Sequence, residues 1–222
     1  MLTQESLDFL KDLTQNNNRE WFHSNKKRYE NHLKKPFVNL VGAFIERFQQ
    51  HDPGIQIAPK DAIFRINRDI RFSKDKSPYK TNVSAIISPK GRKGKEYPGF
   101  YLHIERGRLM MGGGAYFMEK DTLYQLRQSI IHQLDRFQQL YQDPTFQEKF
   151  EEGIQGDKNK RLPKEFQEAA AKEPYVANKQ FYYMAELDPK HILQDDFLDF
   201  AESYYLASKP FNDFLVEGMG MG

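Results

Sequence analysis

Apolar residues recur at helical spacing towards both ends of the chain and at alternate positions between them. Leu7, Leu10 and Leu13 form one stripe, which predicts an N-terminal helix capped by Thr3, with Leu2 and Leu7 at the staple positions. Asn16, Asn17 and Asn18 end it. A second helix is predicted from Arg19, carrying Trp21, Phe22, Tyr29 and Leu33, until Pro36 removes a backbone donor and forces a kink or a restart. Phe37, Leu40, Val41, Phe44, Ile45 and Phe48 then keep helical spacing closely.

After the His51-Asp52-Pro53-Gly54 turn the period falls to two. Ala62, Phe64 and Ile66 alternate with Ile63, Arg65 and Asn67, the pattern of a half-buried strand. Residues 82–88 and 99–106 repeat it, separated by a charged, turn-rich stretch at 89–98 that predicts an exposed hairpin loop. A further strand at 108–111 is expected to pair with 99–106 across Arg106-Gly107. Helical spacing returns with Asp121 as cap and Leu123, Leu126, Ile130, Leu134, Phe137 and Tyr141 on one face. A short helix at Asp143-Pro144, a loop at 153–160, a helix at 163–172 and a strand at 179–187 follow. The last helix opens at Asp195 and is interrupted at Pro210. The expected architecture is α+β, with a small antiparallel sheet packed against N-terminal, central and C-terminal helices. No repeat or Pro/Ser-rich linker divides the chain, so residues 1–222 are expected to form a single domain.

Composition sharpens this picture. Hydrophobic residues make up 39% of the 222, enough for one sizeable core, and 14% aromatic content argues against disorder. The chain has no cysteine, which excludes disulfide scaffolds, thiol nucleophiles and Cys-ligated zinc and fits a reducing, cytoplasmic setting. No apolar run approaches the ~18 residues of a membrane span, and no basic leader precedes an apolar stretch, so neither membrane nor export is expected. Net charge is only +2, too balanced for the whole surface to bind nucleic acid. Its distribution is uneven: residues 60–96 hold eleven basic and four acidic side chains, a surplus of seven, which leaves −5 for the rest.

Within that window lies the densest constellation, Arg65-Ile66-Asn67-Arg68-Asp69-Ile70-Arg71-Phe72-Ser73-Lys74-Asp75-Lys76-Ser77-Pro78-Tyr79-Lys80. Three guanidiniums within seven residues can clamp phosphate or carboxylate oxygens while Asp69 and Asp75 orient them, or the same charges can form an internal network that fixes a long loop. The run Arg65, Arg68, Asp69, Arg71, Phe72, followed by Asp75, Lys76 and Tyr79, resembles the signature of a family of conserved bacterial and fungal proteins, domain-of-unknown-function family 2461. Asn17, Arg19, Glu20, Trp21 and Phe22 resemble its N-terminal motif, and Tyr101, Gly112 and Gly114 its central strand and glycine turn. The resemblance spans most of the chain and carries no catalytic assignments.

Period-two geometry on 99–106 places Tyr101, His103 and Glu105 on one face, where the polar side can meet Arg65 and Asn67. Gly112-Gly113-Gly114, between strand and helix, is either an anion nest or a bulge or turn that needs left-handed glycine conformations. The leading expectation is a polar sheet face that binds an anionic, phosphate-bearing small molecule through Arg65, Asn67, Arg68, Arg71, Lys76, Tyr79 and Tyr101, with Asp69 and His103 able to assist chemistry. The rivals are a nucleic-acid-binding module using the basic loop at 90–95, with weak or no affinity expected, and a non-catalytic protein-interaction domain. Catalysis and oligomeric state are left open. No cofactor is expected, and no metal, since the six histidines are scattered without ligand spacing and His103 with Glu105 lacks a third ligand. The melting temperature should therefore be unchanged by chelators. A collapse in chelator, with stoichiometric zinc or iron by elemental analysis, would overturn that expectation.

Overall fold

A computed structural model describes all residues, Met1–Gly222. The N-terminal helices form as their caps dictate. Helix α1 spans Gln4–Gln15, with the Thr3 N–H donating to Ser6 Oγ at 3.0 Å, and buries Phe9, Leu10 and Leu13. Asn18 caps α2 (Arg19–Ser24) by accepting from the Trp21 N–H at 2.9 Å. A single turn, α3 (Lys26–Arg28), leads into a π-helical stretch at Tyr29–Lys34 and then into α4 (Lys35–Phe48), with Pro36 in its first turn.

The π stretch is the predicted irregularity at Pro36, and its chemistry can be traced. Pro36 has no N–H, so the His32 carbonyl four residues earlier lacks its α-helical donor. Ser6 Oγ, buried in α1, donates to that carbonyl instead. A polar side chain in the apolar face of α1 is thereby explained by a proline thirty residues later. Beyond it α4 buries Phe37, Leu40, Val41, Phe44, Ile45 and Phe48, the stripe read from the sequence.

The sheet has four antiparallel strands in the order β1-β2-β3-β4: β1 (Asn82–Ile87), β2 (Gly99–Glu105), β3 (Arg108–Ala115) and β4 (Phe181–Leu187). A two-residue turn, Arg106-Gly107, joins β2 to β3, with Gly107 at φ 77°. Before the sheet comes a short helix, α5 (Pro59–Ala62). After β3 come α6 (Lys120–His132), α7 (Leu134–Gln142), α8 (Pro144–Lys149) and α9 (Lys164–Lys172), and after β4 comes α10 (Phe197–Gly218). The fold is α+β. No helix is long and apolar enough to cross a membrane.

Four readings of the sequence are corrected. The alternation at 62–66 is not a continuous strand. Pro59 nucleates α5, which ends at Ala62; Ile63 then makes a single bridge to Ala85 and Phe64 N–H donates to Ser84 O, after which the chain turns to a different partner. Gly112, Gly113 and Gly114 lie inside β3, not in a turn or nest, because a Cβ at Gly112 or Gly114 would stand 2.2 Å from the carbonyl oxygens of Tyr183 and Phe181. The stripe at 123–141 is broken at Gln133 into α6 and α7, and α6 starts at Lys120 rather than behind a cap at Asp121. Finally, α10 continues through Pro210. The carbonyl that loses its donor there belongs to Leu206, an exposed residue whose carbonyl water can serve, and Ser208 Oγ bonds the Tyr204 and Tyr205 carbonyls at 3.0 and 3.1 Å.

The chain divides into two compact units, each with its own core. The first comprises 1–92, 101–111 and 186–202; here α1 packs on the π-helical stretch, α4 on β1, Phe44 of α4 lies 5.9 Å from Phe197, and Ala85, Leu102 and Ile104 are buried. The second comprises 93–100, 112–185 and 203–222 and is built round an aromatic cluster. Tyr183 lies at its centre, with ring centroids 4.6 Å from Phe150 and 5.1 Å from Phe146, and its hydroxyl donates to Asn212 Oδ1 at 2.9 Å. Full burial pushes the Tyr183 phenol far above its ordinary pKa.

The Ser6 hydrogen bond is open to direct test. Ser6→Ala removes the donor to the His32 carbonyl and the acceptor of the Thr3 N–H, and should lower unfolding free energy by about 1–3 kcal/mol in urea titration, two hydrogen bonds at about 0.5–1.5 kcal/mol each. An unchanged midpoint would show that the His32 carbonyl finds another partner.

Candidate functional site

The polar face of the first unit is laid out by β2. Its burial alternates, with Leu102 and Ile104 buried and Tyr101, His103 and Glu105 half-buried. Tyr101 Oη lies 3.1 Å from His103 Nδ1, and His103 Nε2 lies 3.3 Å from Glu105 Oε2. The second contact has ion-pair distance without hydrogen-bond alignment, and Nε2, sealed from solvent, has no aligned partner. Glu105 is held across the Arg106-Gly107 turn by Arg108, whose Nε donates to Oε1 at 2.7 Å, and Arg108 also reaches Glu186 on β4 at 3.4 Å. Ser84 on β1 lies near enough to the Tyr101 hydroxyl to favour its ionised form. Burial, with Glu105 adding to it and Ser84 opposing, holds the Tyr101 pKa above its usual value. The His103 pKa is lowered, first by burial; Glu105 opposes this, and Arg108 and Lys80 add to it.

Lys80 is the charge that defines this region. It is half-buried, makes no salt bridge, and holds its ammonium 5.3 Å from the centre of the Phe64 ring, which in turn lies 6.5 Å from Tyr101. Its pKa is lowered by burial and then by Arg65, an exposed guanidinium that also makes no salt bridge. Lys80, a cation without a salt bridge, therefore stands near the Tyr101-His103 pair with Arg65 as its neighbour, and Arg65 in turn helps to lower the Asp69 carboxyl pKa without pairing with it.

The rest of the Arg/Asp run is a hairpin. Lys80 N–H donates to Ile66 O at 2.7 Å, Arg68 N–H donates to Pro78 O at 2.9 Å, and Asn67 bridges Tyr79. At its tip the charges satisfy one another. Arg68 pairs with Asp75 and bonds Ser73 Oγ and Ser77 O, both at 3.3 Å. Asp75 accepts from the Ser77 hydroxyl and N–H, which with Arg68 hold its carboxyl at about 2. A depressed carboxyl pKa stabilises the ionised hairpin above the ordinary aspartate value, and that contribution is lost as pH falls towards 2. Arg71 forks onto Asp69 at 2.7 and 3.0 Å and lowers its pKa, and Lys76 Nζ donates to Ile70 O at 3.0 Å. Phe72 projects between them, 95% exposed.

Asn17 fastens the hairpin to the N-terminal helices. Its side-chain amide donates to Tyr79 O at 2.9 Å and accepts from Tyr79 N at 3.1 Å, as a neighbouring strand would, and the Phe22 ring stacks on Tyr79 at 3.9 Å. Trp21 and Phe22 are half-buried against Phe9. The two motifs singled out in the sequence thus meet in space.

Of the sequence-nominated residues, Tyr101 and His103 stand together, with Arg65 beside them through Lys80. Asn67, Arg68, Asp69, Arg71, Lys76 and Tyr79 build the hairpin, where Arg68 and Arg71 each have a local carboxylate and Arg65 makes no salt bridge. The sequence reading did not nominate Lys80 as a site residue, and it named Asn17 only within the N-terminal motif. Lys80 ends the basic run, and its period-two relation to Pro78 and Asn82 was the available signal. In the basic loop, Arg92, Lys93 and Lys95 are exposed, and Arg92 Nε bonds Lys60 O at 3.3 Å. No group of three or more His, Asp and Glu side chains is placed to hold a metal ion.

Fold and site together define an α+β protein with a polar sheet face and an adjoining Arg/Asp hairpin. The chain belongs to the family described as conserved hypothetical protein, DUF2461, whose model matches residues 5–214. No curated protein and no solved structure matches it.

The Asn17 clasp yields a prediction. Asn17→Ala removes both hydrogen bonds to the Tyr79 backbone and should destabilise the protein by about 1–3 kcal/mol, with faster proteolysis within residues 66–80 than elsewhere. Cleavage at the parental rate would show that Phe22 stacking alone holds the hairpin.

Proposed function

We propose that the protein binds a phosphate-bearing anion on the face formed by Arg65, Lys80, Tyr101 and His103. The observation that carries this reading is Lys80, a half-buried ammonium beside a second cation and without a carboxylate. An unpaired charge in such surroundings is unfavourable for folding and is commonly kept for a ligand. Arg65 adds a planar fork suited to two oxygens, and Tyr101 and His103 add groups able to exchange hydrogen bonds and a proton. Arg68 and Arg71 serve this site indirectly: their pairs with Asp75 and Asp69 keep the hairpin closed, and the hairpin sets the position of Lys80.

Lys80→Met tests the reading because a ligand-binding cation and a structural one respond with opposite sign. Removing a charge repelled by Arg65 should leave the melting temperature unchanged or raise it slightly. Phosphate at about 100 times its dissociation constant should stabilise the parent by about 2.7 kcal/mol and the variant hardly at all. A parent indifferent to phosphate, or a variant that unfolds, would overturn the proposal.

A further inference from the structure

His103 occupies a position that a bound anion would change. Its own strand presents Tyr101 to Nδ1 and Glu105 to Nε2. From outside β2 it faces Arg108 on β3 and Lys80 ahead of β1, both of which oppose its protonation. Ser84 on β1 acts on it through Tyr101, and Glu186 on β4 through Arg108. The neighbours also select a tautomer. Nε2 facing a carboxylate favours carrying the hydrogen, which leaves Nδ1 to accept from the Tyr101 hydroxyl.

We propose that the site takes a doubly charged tetrahedral oxyanion and that His103 takes up a proton from solvent at Nδ1 as it binds, becoming a third cation beside Lys80 and Arg65. This rests on the anion-binding reading of the same face. The proton balance is simple. Nδ1 gains the solvent proton and turns from acceptor to donor toward Tyr101 Oη, so the phenol O–H turns away from the imidazole and is free to donate to the ligand. Glu105, held in place by Arg108, faces the imidazolium. A dianion is required because it offsets both Lys80 and Arg65. A monoanion leaves one of them to repel the imidazolium.

Sulfate is a suitable probe, since its charge does not change across the titration range of histidine. The ring signals of the full chain would be titrated by NMR in sulfate and in chloride of equal ionic strength. The His103 signal is identified by its loss in His103→Gln, or in His103→Asn should the first fold poorly. Sulfate should raise the His103 pKa by about one unit, equivalent to about tenfold tighter binding to the protonated form. Methanesulfonate, of the same shape and one charge, should raise it less than half as far. In Lys80→Met, or Lys80→Gln if that is the better folded, the difference between sulfate and chloride should vanish. An unchanged His103 pKa in sulfate that still raises the melting temperature of the parent but not of Lys80→Met would overturn proton uptake and leave anion binding standing. Equal shifts with methanesulfonate would overturn the dianion requirement. Sulfate without effect on either signal or melting would overturn both readings.

Discussion

Backbone N–H and C=O groups removed from water must each find a partner, and in the first unit one short segment meets that demand in two directions. Ile63 and Phe64 bond to β1, at Ala85 and Ser84, whereas Ile66 and Arg68 bond to the returning strand at Lys80 and Pro78. Arg65 lies at the point where the segment changes partners. Because the second leg of the hairpin runs straight into β1, Lys80 is delivered to the same place from the other side. The neighbouring cations are thus a product of main-chain hydrogen bonding, and the hairpin carboxylates make their salt bridges elsewhere: Asp69, which also feels Arg65, is taken by Arg71, and Asp75 by Arg68.

That division separates what the sequence disclosed from what it did not. The β2-β3 hairpin was legible because its signals are local: period-two burial on either side of a two-residue turn containing glycine. The same rule placed Tyr101, His103 and Glu105 on one face, and helical spacing found α4 in full. At 62–66 alternation correctly marked extended backbone at 63–66 but could not reveal a change of partner, which depends on residues up to twenty-two positions away. The meaning of Lys80 was hidden for a related reason. A lysine ending a basic run reads as solvated surface until its burial is known. The three glycines failed as a turn signal because what demands them is the close approach of Tyr183 and Phe181, some seventy residues later. Family resemblance located both motifs, yet their meeting through Asn17 and Tyr79 appears only in three dimensions.

The Arg/Asp run shows how one composition can hold two kinds of charge. Arg68 and Arg71 have carboxylates within seven residues, and the hairpin brings each to its partner. These exposed pairs shape the loop more than they stabilise the protein, since solvent screens them. Arg65 and Lys80, a few residues away, lack such partners. Counting charges gives the window a surplus of seven, but the number that matters for a ligand is the smaller set left unpaired where solvent is partly excluded.

A proline at position 36 strands a carbonyl, and a hydroxyl at position 6 serves it. Ser6 Oγ does so while also accepting from the Thr3 N–H, so one hydroxyl closes both the start of α1 and the break before α4. Without the proline the serine keeps its first role, whereas the proline without the serine leaves a carbonyl short of its protein donor. The dependence between the two positions, thirty residues apart, therefore runs one way: the proline leans on the serine.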